Sequence, residues 1–403
     1  MKKNILLKGI TRNVLLLGLV SLFTDLSSQM VFPLIPLFMV SVLGTGTSAV
    51  GIVEGAAEMT ASLLKIVSGY WSDKIRKRKP FIFLGYSLSS LVKPLFAFTS
   101  SWAGVLLIRT FERIGKGLRN APRDAVVAES CDARYRGKAF GFQRTLDGVG
   151  SILGALLAYV LLHFFRLSYR NIFIIAFFPG LLAIASAAFV KERKDPKAAV
   201  SKEQLKFSLS DLSSPLRLFI AIATLFTLGH YGYAFLLLRA KNVGFESDRA
   251  ILLYVLFYIV YTFFSIPAGV LSDRIGRKNI LKSAYLVFAG MSFWVIFVTR
   301  MPALTAVFVL YGIFYAFVDG TQRALVVDMA PPRLKATALG TYHAFTGLAA
   351  LPGGLIAGVL WDKVAPEATF ICGAVLSAAA FFLFGFLKNA VNMEASRSER
   401  RVQ

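Results

Sequence analysis

The chain is a succession of apolar segments, each about as long as a helix that crosses a membrane. These segments lie near residues 13–43, 49–71, 80–99, 103–128, 139–165, 171–190, 216–240, 249–271, 280–299, 302–327, 337–361 and 368–387. Roughly 20 apolar residues span a bilayer as a helix, and a backbone inside lipid must satisfy its own hydrogen bonds. The alternation typical of barrel strands is absent from these segments. The sequence therefore predicts an all-α membrane protein with about twelve transmembrane helices.

The charge balance fits a membrane protein better than a nucleic-acid-binding protein. Of the 403 residues 56% are hydrophobic and 17% are charged, with a net charge of +23. The Lys and Arg residues stand in short clusters between the apolar segments, which is the bias of cytoplasmic loops. We therefore expect a lipid bilayer around the protein and no nucleic-acid partner.

The basic loops predict the orientation of the chain. Lys- and Arg-rich stretches at 74–79, 134–138, 191–197, 274–278 and 333–335 fall on one side, whereas the loops at 43–48 and 99–102 carry little or no charge. The positive-inside bias places the basic side, and with it both termini, in the cytoplasm. The N-terminal segment lacks a small-residue cleavage site and continues through Asp25 and Pro33, so we interpret it as a retained first helix.

One long polar stretch divides the predicted helices into six and six. We expect an N-terminal six-helix bundle at 1–190, a cytoplasmic linker at 191–215, a C-terminal six-helix bundle at 216–390 and a cytoplasmic tail at 391–403.

A repeat relates the two predicted bundles. The stretch GYWSDKIRKRK begins at Gly69 and GVLSDRIGRKN begins at Gly269, an offset of 269 − 69 = 200 residues. The segments 124–144 and 323–343 also match, with Glu129 opposite Asp328 at an offset of 328 − 129 = 199. Two matched loops at nearly one offset indicate duplication. The expected architecture is two pseudo-symmetric six-helix bundles around a central binding site.

The two basic stretches, which we call the first and second tag, resemble a motif of the major facilitator superfamily. The family pattern is Gly-x-x-x-Asp-Arg-x-Gly-Arg-Lys between helices 2 and 3, repeated between helices 8 and 9. The second tag matches it fully, and the first has Lys74 and Arg76 in place of the arginine and the turn glycine. The stretch at 106–117 resembles the helix-4 motif of the family, with Arg113 where a glycine is usual, and the likeness covers nearly the whole chain.

Two further stretches are similar to exporters of this superfamily. GVGSILG at 148–154 is partly similar to the glycine-rich motif of proton-driven drug exporters, without its proline. FTDLSSQMVFPLIP at 23–36 resembles a bacterial and archaeal branch of drug-resistance-type exporters. The resemblance implies a multi-pass protein of a prokaryotic cytoplasmic (inner) membrane that acts as a monomer.

The resemblance also implies a role for the tags in a cytoplasmic gate. An aspartate at the end of a helix can meet the positive end of another helix and nearby arginines. The alternative is a solvated basic loop that only sets orientation. The predicted gate residues are Gly69, Asp73, Arg78, Glu129, Gly269, Asp273, Arg274, Arg277 and Asp328.

Charged residues inside the predicted spans are candidates for proton coupling. A carboxylate in an apolar surrounding can hold a proton near neutral pH, although structural ion pairs perturb carboxylates as well. The candidates for carrying the proton are Asp25, Glu54, Glu58, Asp147 and Asp319.

Arginine, aromatic and amide side chains supply candidates for substrate binding. Guanidinium groups suit carboxylates and phosphates, and tyrosines can form an aromatic wall, although ion pairing and packing are the simpler roles. The candidates are Arg109, Arg113, Arg144, His230, Tyr233, Tyr258, Gln322 and His343.

We therefore expect a secondary active transporter that works by alternating access, exports a small organic compound in exchange for protons, and needs no cofactor or metal. Uptake or exchange of an organic anion is the alternative, favoured by the arginines of the fourth span. An intramembrane enzyme lacks motif support, because no HExxH or GxSxG sequence occurs. A receptor is expected to carry a signalling domain, which we do not find in this sequence.

Overall fold

The computed structural model describes residues 10–75, 77–132, 135–191, 212–331 and 334–402, without the side chains of Asp73 and of residues 388–402. Most of the predicted linker, 192–211, lies outside these described residues. Every regular element in the described ranges is a helix, which confirms the all-α prediction.

The helices of the first part of the chain are α1 (Arg12–Val31), α2 (Leu34–Ser41), α3 (Thr47–Ile75), α4 (Lys79–Leu91), α5 (Trp102–Glu129), α6 (Arg136–His163), α7 (Tyr169–Ile175) and α8 (Phe177–Ala188), with a short 3₁₀ helix at Lys93–Phe98. The helices of the second part are α9 (Ser214–Gly229), α10 (Gly232–Asn242), α11 (Ser247–Ile275), α12 (Arg277–Val295), α13 (Met301–Val318), α14 (Thr321–Met329), α15 (Lys335–Lys363) and α16 (Pro366–Val402).

Nine helical segments of the described ranges are long and apolar enough to cross a membrane. They are Arg12–Ser41, Lys79–Phe98, Arg136–His163, Tyr169–Ala188, Ser214–Asn242, Ser247–Ile275, Met301–Met329, Lys335–Lys363 and Pro366–Leu387. The chain is therefore an integral, multi-pass membrane protein, as the sequence predicts.

Two further long helices carry charges in their central part. α3 has 29 residues and includes Glu54, Glu58 and Lys65, and α5 has 28 residues and includes Arg109 and Glu112. These charges lower the hydropathy of helices that are nevertheless longer than the roughly 20 residues needed to cross a bilayer. The number twelve for the transmembrane helices stays a prediction.

The structure groups into two compact units. Unit 1 contains residues 1–44, 60–204 and 247–255, and unit 2 contains 45–59, 205–246 and 256–403. The first turns of α3 therefore belong to unit 2, and the first turns of α11 belong to unit 1. The predicted domain boundaries at 191–215 remain a prediction.

Unit 1 is packed around α1. Gly150 and Gly154 of α6 face the backbone of α1 at Leu22 and Leu26, so closely that no side chain fits between the two helices. Small residues at such positions let membrane helices approach each other, because lipid provides no hydrophobic drive for their association.

Unit 2 contains a comparable approach between the beginning of α3 and α15. A Cβ atom on Gly55 would lie 2.6 Å from the carbonyl oxygen of Ala350 and 2.8 Å from Cα of Leu351. A Cβ atom on Gly358, two turns further along α15, would lie 2.6 Å from the carbonyl oxygen of Thr47. These glycines bring the two helices into backbone contact over about two turns.

Candidate functional site

Two pairs of helices in unit 2 are interrupted at polar residues. His230 and Tyr231 separate α9 from α10, and Gly232 follows with a φ of 72°. Asp319 and Gly320 separate α13 from α14, and Gly320 has a φ of 91°. Interrupted helices at membrane depth are tolerated where they line protein or water, and they form binding sites in many transporters. The interruptions therefore place His230 and Asp319 where a substrate or proton can interact with the backbone and side chains.

An aromatic cluster surrounds His230. Its ring stacks on Tyr311 at an interplanar angle of 10°, and the His230 Nε2 atom lies 3.4 Å from the Tyr311 hydroxyl. The other members of this aromatic cluster are Phe226, Phe257, Tyr258, Tyr261, Phe288, Phe314 and Tyr315. Most of these rings are buried against one another, and the half-buried Tyr258, Tyr261 and Tyr315 are the members with surface left for an aromatic or cationic group.

Asp319 is held on both carboxylate oxygens. The Tyr261 hydroxyl donates a hydrogen bond of 2.7 Å to Oδ2, and Arg323 forms an ion pair of 3.0 Å with Oδ1 one turn along α14. These bonds connect α11, α13 and α14 around the interruption. Asp319 is therefore a partnered carboxylate whose protonation would weaken contacts between three helices.

Three more of the predicted binding residues lie in unit 2. Gln322 donates to the Tyr285 hydroxyl at 2.7 Å and accepts from the Tyr342 hydroxyl at 2.6 Å. The ring of His343 packs against Tyr342 with centroids 5.1 Å apart, and Tyr233 is half-buried on α10. Gln322 thus has both ends of its amide engaged, while His343 and Tyr233 keep part of their surface accessible.

Glu58 differs from the other acidic residues of the predicted spans. Its side chain is exposed, although α3 continues for more than a helical turn on both sides of it. It lies close enough to His230 and Tyr342 to interact with them electrostatically. Glu54, one turn earlier on α3, is half-buried. Because an ionised carboxylate is costly in lipid, an exposed Glu58 at this depth indicates contact with water.

A buried basic cluster lies in unit 1 around one carboxylate. Glu112 is fully buried, and its Oε2 atom lies 3.3 Å from Arg109 and 3.4 Å from Arg113. Lys93 and Arg119 are buried nearby and interact electrostatically with Glu112. The basic cluster, Lys93, Arg109, Glu112, Arg113 and Arg119, therefore contains four cations and a single carboxylate.

The members of the basic cluster differ in how well they are partnered. The Arg109 guanidinium lies 3.8 Å from the centre of the Phe32 ring, and that of Arg113 lies 5.0 Å from it. Lys93 donates a hydrogen bond of 2.9 Å to the Ser27 hydroxyl. In the described part of the chain the buried Nη1 atom of Arg113 has no hydrogen-bond partner. The buried Nε atom of Arg119 also lacks a hydrogen-bond partner there, so Arg113 is one of the members with hydrogen-bonding capacity left for a ligand.

Two predicted proton carriers lie together in unit 1, and one of them, Asp25, interacts electrostatically with Lys93 and Arg119 of the basic cluster. Asp25 and Asp147 are close enough to repel each other, and the nearby Lys116 and Arg119 compensate part of that repulsion. The Oδ1 atom of Asp147 is buried and lacks a hydrogen bond to any described residue. Arg144, on the same helix as Asp147, is exposed.

The tags form equivalent ion pairs in the two units. Arg78, in the first tag, pairs with Glu129 at the end of α5. Arg277, in the second tag, pairs with Asp328 at 2.5 Å and with Asp273 at 3.4 Å. Arg277 follows Arg78 by 199 residues, and Asp328 follows Glu129 by the same number. The repeat therefore extends to the ion pairs.

The other predicted gate residues have varied surroundings. A Cβ atom added at Gly269 would meet nothing within 4 Å, and one added at Gly69 would lie 3.3 Å from the Cβ atom of Ala121. Arg274 is exposed. Gly276 adopts a φ of 92°, as expected for the turn glycine of the second tag. The side chain of Asp73 lies outside the described residues, as does the whole of residue 76.

Comparison with known proteins identifies the family. The sequence model of the Major Facilitator Superfamily matches residues 17–246 and 218–402. An uncharacterized MFS-type transporter of Methanocaldococcus jannaschii is 40% identical over 386 residues, covering 94% of this chain and 96% of that protein. A multidrug resistance protein of Aeromonas hydrophila, MdtH, is 32% identical over 148 residues, which is 37% of each chain.

The fold is similar to that of a solved transporter structure. The crystal structure of the nucleoside transporter NupG superposes with a TM-score of 0.74 over 94% of this chain and 99% of that chain, at 16% identity. The chain is a member of the Major Facilitator Superfamily, as its motifs indicate.

Proposed function

We propose that this chain is a proton-coupled secondary transporter that exports a small organic compound by alternating access. The observation that carries the proposal is the accessible Glu58 carboxylate inside the long helix α3. Glu54, Asp25, Asp147 and Asp319 remain further candidates for proton binding.

The position of Glu58 along α3 places it at membrane depth. It lies 11 residues after Thr47 in a helix of 29 residues, which corresponds to about 16 Å from the start of a helix about 44 Å long. The hydrocarbon core of a bilayer is about 30 Å thick. Glu58 therefore falls within that core if α3 crosses it, and water is the surrounding that tolerates its charge.

The neighbours of Glu58 give its protonation a consequence. Among the described residues it has neither a hydrogen bond nor an ion pair, in contrast to Asp319, so binding a proton breaks no salt bridge. Its charge acts on His230, which interrupts α9 and α10, and on Tyr342, which binds Gln322. Neutralising Glu58 changes the electrostatic field at the two interruptions where we place the substrate.

The experiment that tests this role is transport driven by an imposed pH gradient in proteoliposomes. The probes are two aromatic ions of opposite charge, p-toluenesulfonate and benzyltrimethylammonium, with the membrane potential clamped by valinomycin and equal potassium. We expect the wild type to accumulate at least one probe in response to the gradient, and Glu58→Gln to lose that response. Glu246→Gln is the matched control, because Glu246 is exposed just before α11 and makes no side-chain cap hydrogen bond. A full response in Glu58→Gln would remove Glu58 from the proposal.

Export is supported by the likeness to the multidrug resistance protein MdtH over part of the chain and by the aromatic cluster. Aromatic faces bind organic cations and flat ring systems. In energised everted vesicles, an exporter accumulates benzyltrimethylammonium in the lumen. Accumulation only in right-side-out vesicles would contradict export and would favour uptake.

An organic anion is the second candidate substrate, and the basic cluster favours it. Buried charges without a counter-ion cost several kcal/mol each, and an anionic group at Arg113 Nη1 would offset part of that cost. Hydrogen bonds to charged groups contribute about 1.5–3 kcal/mol, so we expect Arg113→Gln to weaken binding of p-toluenesulfonate about tenfold or more. The exposed Arg217→Gln is the control. Equal binding by both variants would leave the basic cluster as a structural feature.

The proposal also includes the orientation of the chain, its membrane, its oligomeric state and the bounds of the two bundles. We place the tags and both termini in the cytoplasm, the protein in the inner membrane of a prokaryote as a monomer, and the two bundles at 1–190 and 216–390. The distribution of Lys and Arg among the loops supports this orientation. That the chain acts as a carrier and has no enzymatic activity stays a prediction.

A further inference from the structure

The two helices that end in the tags begin at contacts with the C-terminal end of another helix. At the beginning of α3, Asp362 of α15 accepts four hydrogen bonds. They come from the backbone nitrogens of Thr47 and Ser48, at 2.9 and 2.8 Å, and from their hydroxyls, at 2.7 and 2.6 Å. We call this arrangement the Asp362 cap. It satisfies backbone donors that the first turn of a helix leaves unpaired.

The beginning of α11 meets the end of α6. The Nδ1 atom of His163 lies 2.5 Å from Oδ2 of Asp248, and the other oxygen of Asp248 accepts 2.7 Å from the backbone nitrogen of Arg249. The His163 ring stacks on Tyr159 and meets Phe164 edge-on. We call this arrangement the His163 contact.

The sequence repeat relates these two contacts. Asp362 follows His163 by 362 − 163 = 199 residues, and Asp248 follows Ser48 by 248 − 48 = 200 residues. Equivalent positions are thus used in both units with different chemistry. In one, a carboxylate at the end of α15 binds hydroxyls and amides at the start of α3. In the other, an imidazole at the end of α6 binds a carboxylate at the start of α11.

Because the side chains at these equivalent positions differ, the Asp362 cap and the His163 contact respond differently to pH. Imidazole is the side chain whose charge ordinarily changes between pH 5 and 8, whereas the hydroxyls of the Asp362 cap do not titrate there. A protonated His163 adds charge attraction to its hydrogen bond with Asp248, and a neutral His163 keeps the hydrogen bond alone. Two tyrosines are also packed here, Tyr159, which stacks on His163, and Tyr169 of α7, which bonds Ser247; both phenols ordinarily stay neutral in this range.

We propose that His163 is a proton-binding site that holds the beginning of α11 more firmly in acid than at higher pH. The Asp362 cap holds the beginning of α3 at either pH. Both sites lie at the opposite ends of α3 and α11 from the tags. The proposal is independent of which carboxylate couples transport to protons and of the substrate.

Hydrogen–deuterium exchange of the purified full-length protein tests this proposal. The peptides to compare are 247–255, at the start of α11, and 47–53, at the start of α3, at pH 6 and pH 8 after correction for intrinsic exchange rates. We expect protection of 247–255 to fall about two- to fivefold at pH 8, the range that partly exposed ion pairs give. Protection of 47–53 should stay constant, and this peptide is the control within the same molecule.

Two variants separate the His163 contact from a general effect of pH. His163→Gln retains a side chain that can donate to Asp248 without a titratable charge, so its 247–255 peptide should exchange equally at both pH values. Asp248→Asn should abolish the pH dependence as well. A pH-dependent difference that persists in His163→Gln would overturn the proposal, and so would equal shifts in the two wild-type peptides.

Discussion

Replacing Gly55 by alanine tests the contact between α3 and α15. The added Cβ atom would lie 2.6 Å from the carbonyl oxygen of Ala350. Cβ atoms essentially never approach other atoms within 3.0 Å, and ordinary contact begins at 3.4 Å, so the helices must separate by about 0.4–0.8 Å. The obstructing atoms belong to the backbone of α15 and cannot rotate away. Overpacking of this kind costs about 1–3 kcal/mol.

The intrinsic preference of a helix for alanine acts in the opposite direction. Alanine is favoured over glycine by about 1 kcal/mol in a helix interior, so the control must carry the same substitution. Gly290→Ala on α12 serves this purpose, because an added Cβ atom there meets nothing within 4 Å. We expect Gly55→Ala to be less stable than Gly290→Ala by about 1–3 kcal/mol.

The assay is the thermal unfolding midpoint of both variants in the same detergent. The double variant Gly55→Ala/Gly354→Ala refines it, since Gly354 lies on the facing surface of α15. Once the first methyl group has separated the helices, the second should cost less than it does alone, which gives a measurable coupling. If Gly55→Ala raises the midpoint as much as Gly290→Ala does, the close approach of the two helices is refuted.

Three further changes test single contacts by the unfolding midpoint. Asp362→Ala removes the carboxylate that caps α3 and should cost about 0.5–2 kcal/mol, with Asp362→Asn in between; equal midpoints would contradict the Asp362 cap. Tyr261→Phe removes the hydroxyl bonded to Asp319 and should cost about 1 kcal/mol, and an unchanged midpoint would show that this bond contributes nothing. Arg239→Ala leaves Glu367 without its 2.6 Å ion pair and should lower the midpoint more than the exposed Arg217→Ala does, because Arg239 is buried.

The sequence predicts the fold through its longest-range regularities. Apolar segments of membrane length identify the helices, and the 199- and 200-residue offsets identify the duplication without any structural information. These signals are strong because lipid leaves the backbone few alternatives to a helix. The sequence also identifies Arg277 and Asp328 as candidates for one site, since both belong to the repeated segments.

The candidate site was predictable only as a set of residue types. The sequence identifies Glu58, His230 and Asp319 as polar residues in apolar segments, but it does not distinguish the accessible carboxylate from the one bonded to Tyr261. The interruptions of α9–α10 and α13–α14 were missed, although Gly232 and Gly320 stand near the polar residues and signal them. Contacts between segments far apart in sequence decide these points, and a helical period describes only one segment at a time.

Glu112 shows the same limit in the basic cluster. The period of α5 places it on one face with Arg109 and Arg113, and this proximity is what the structure has. That these groups are buried, and that Lys93 joins them, depends on how the neighbouring helices pack. Hydrogen-bond partners across helices are therefore the part of the site that a single sequence leaves undetermined.

The most direct test of the account is whether solute movement carries protons. Purified protein is reconstituted in liposomes containing the pH indicator pyranine, with the potential clamped, and p-toluenesulfonate or benzyltrimethylammonium is added outside. We predict that the internal pH changes with at least one probe in the wild type and in Glu246→Gln, and stays constant in Glu58→Gln. Probe transport by the wild type without any change in internal pH would contradict proton coupling.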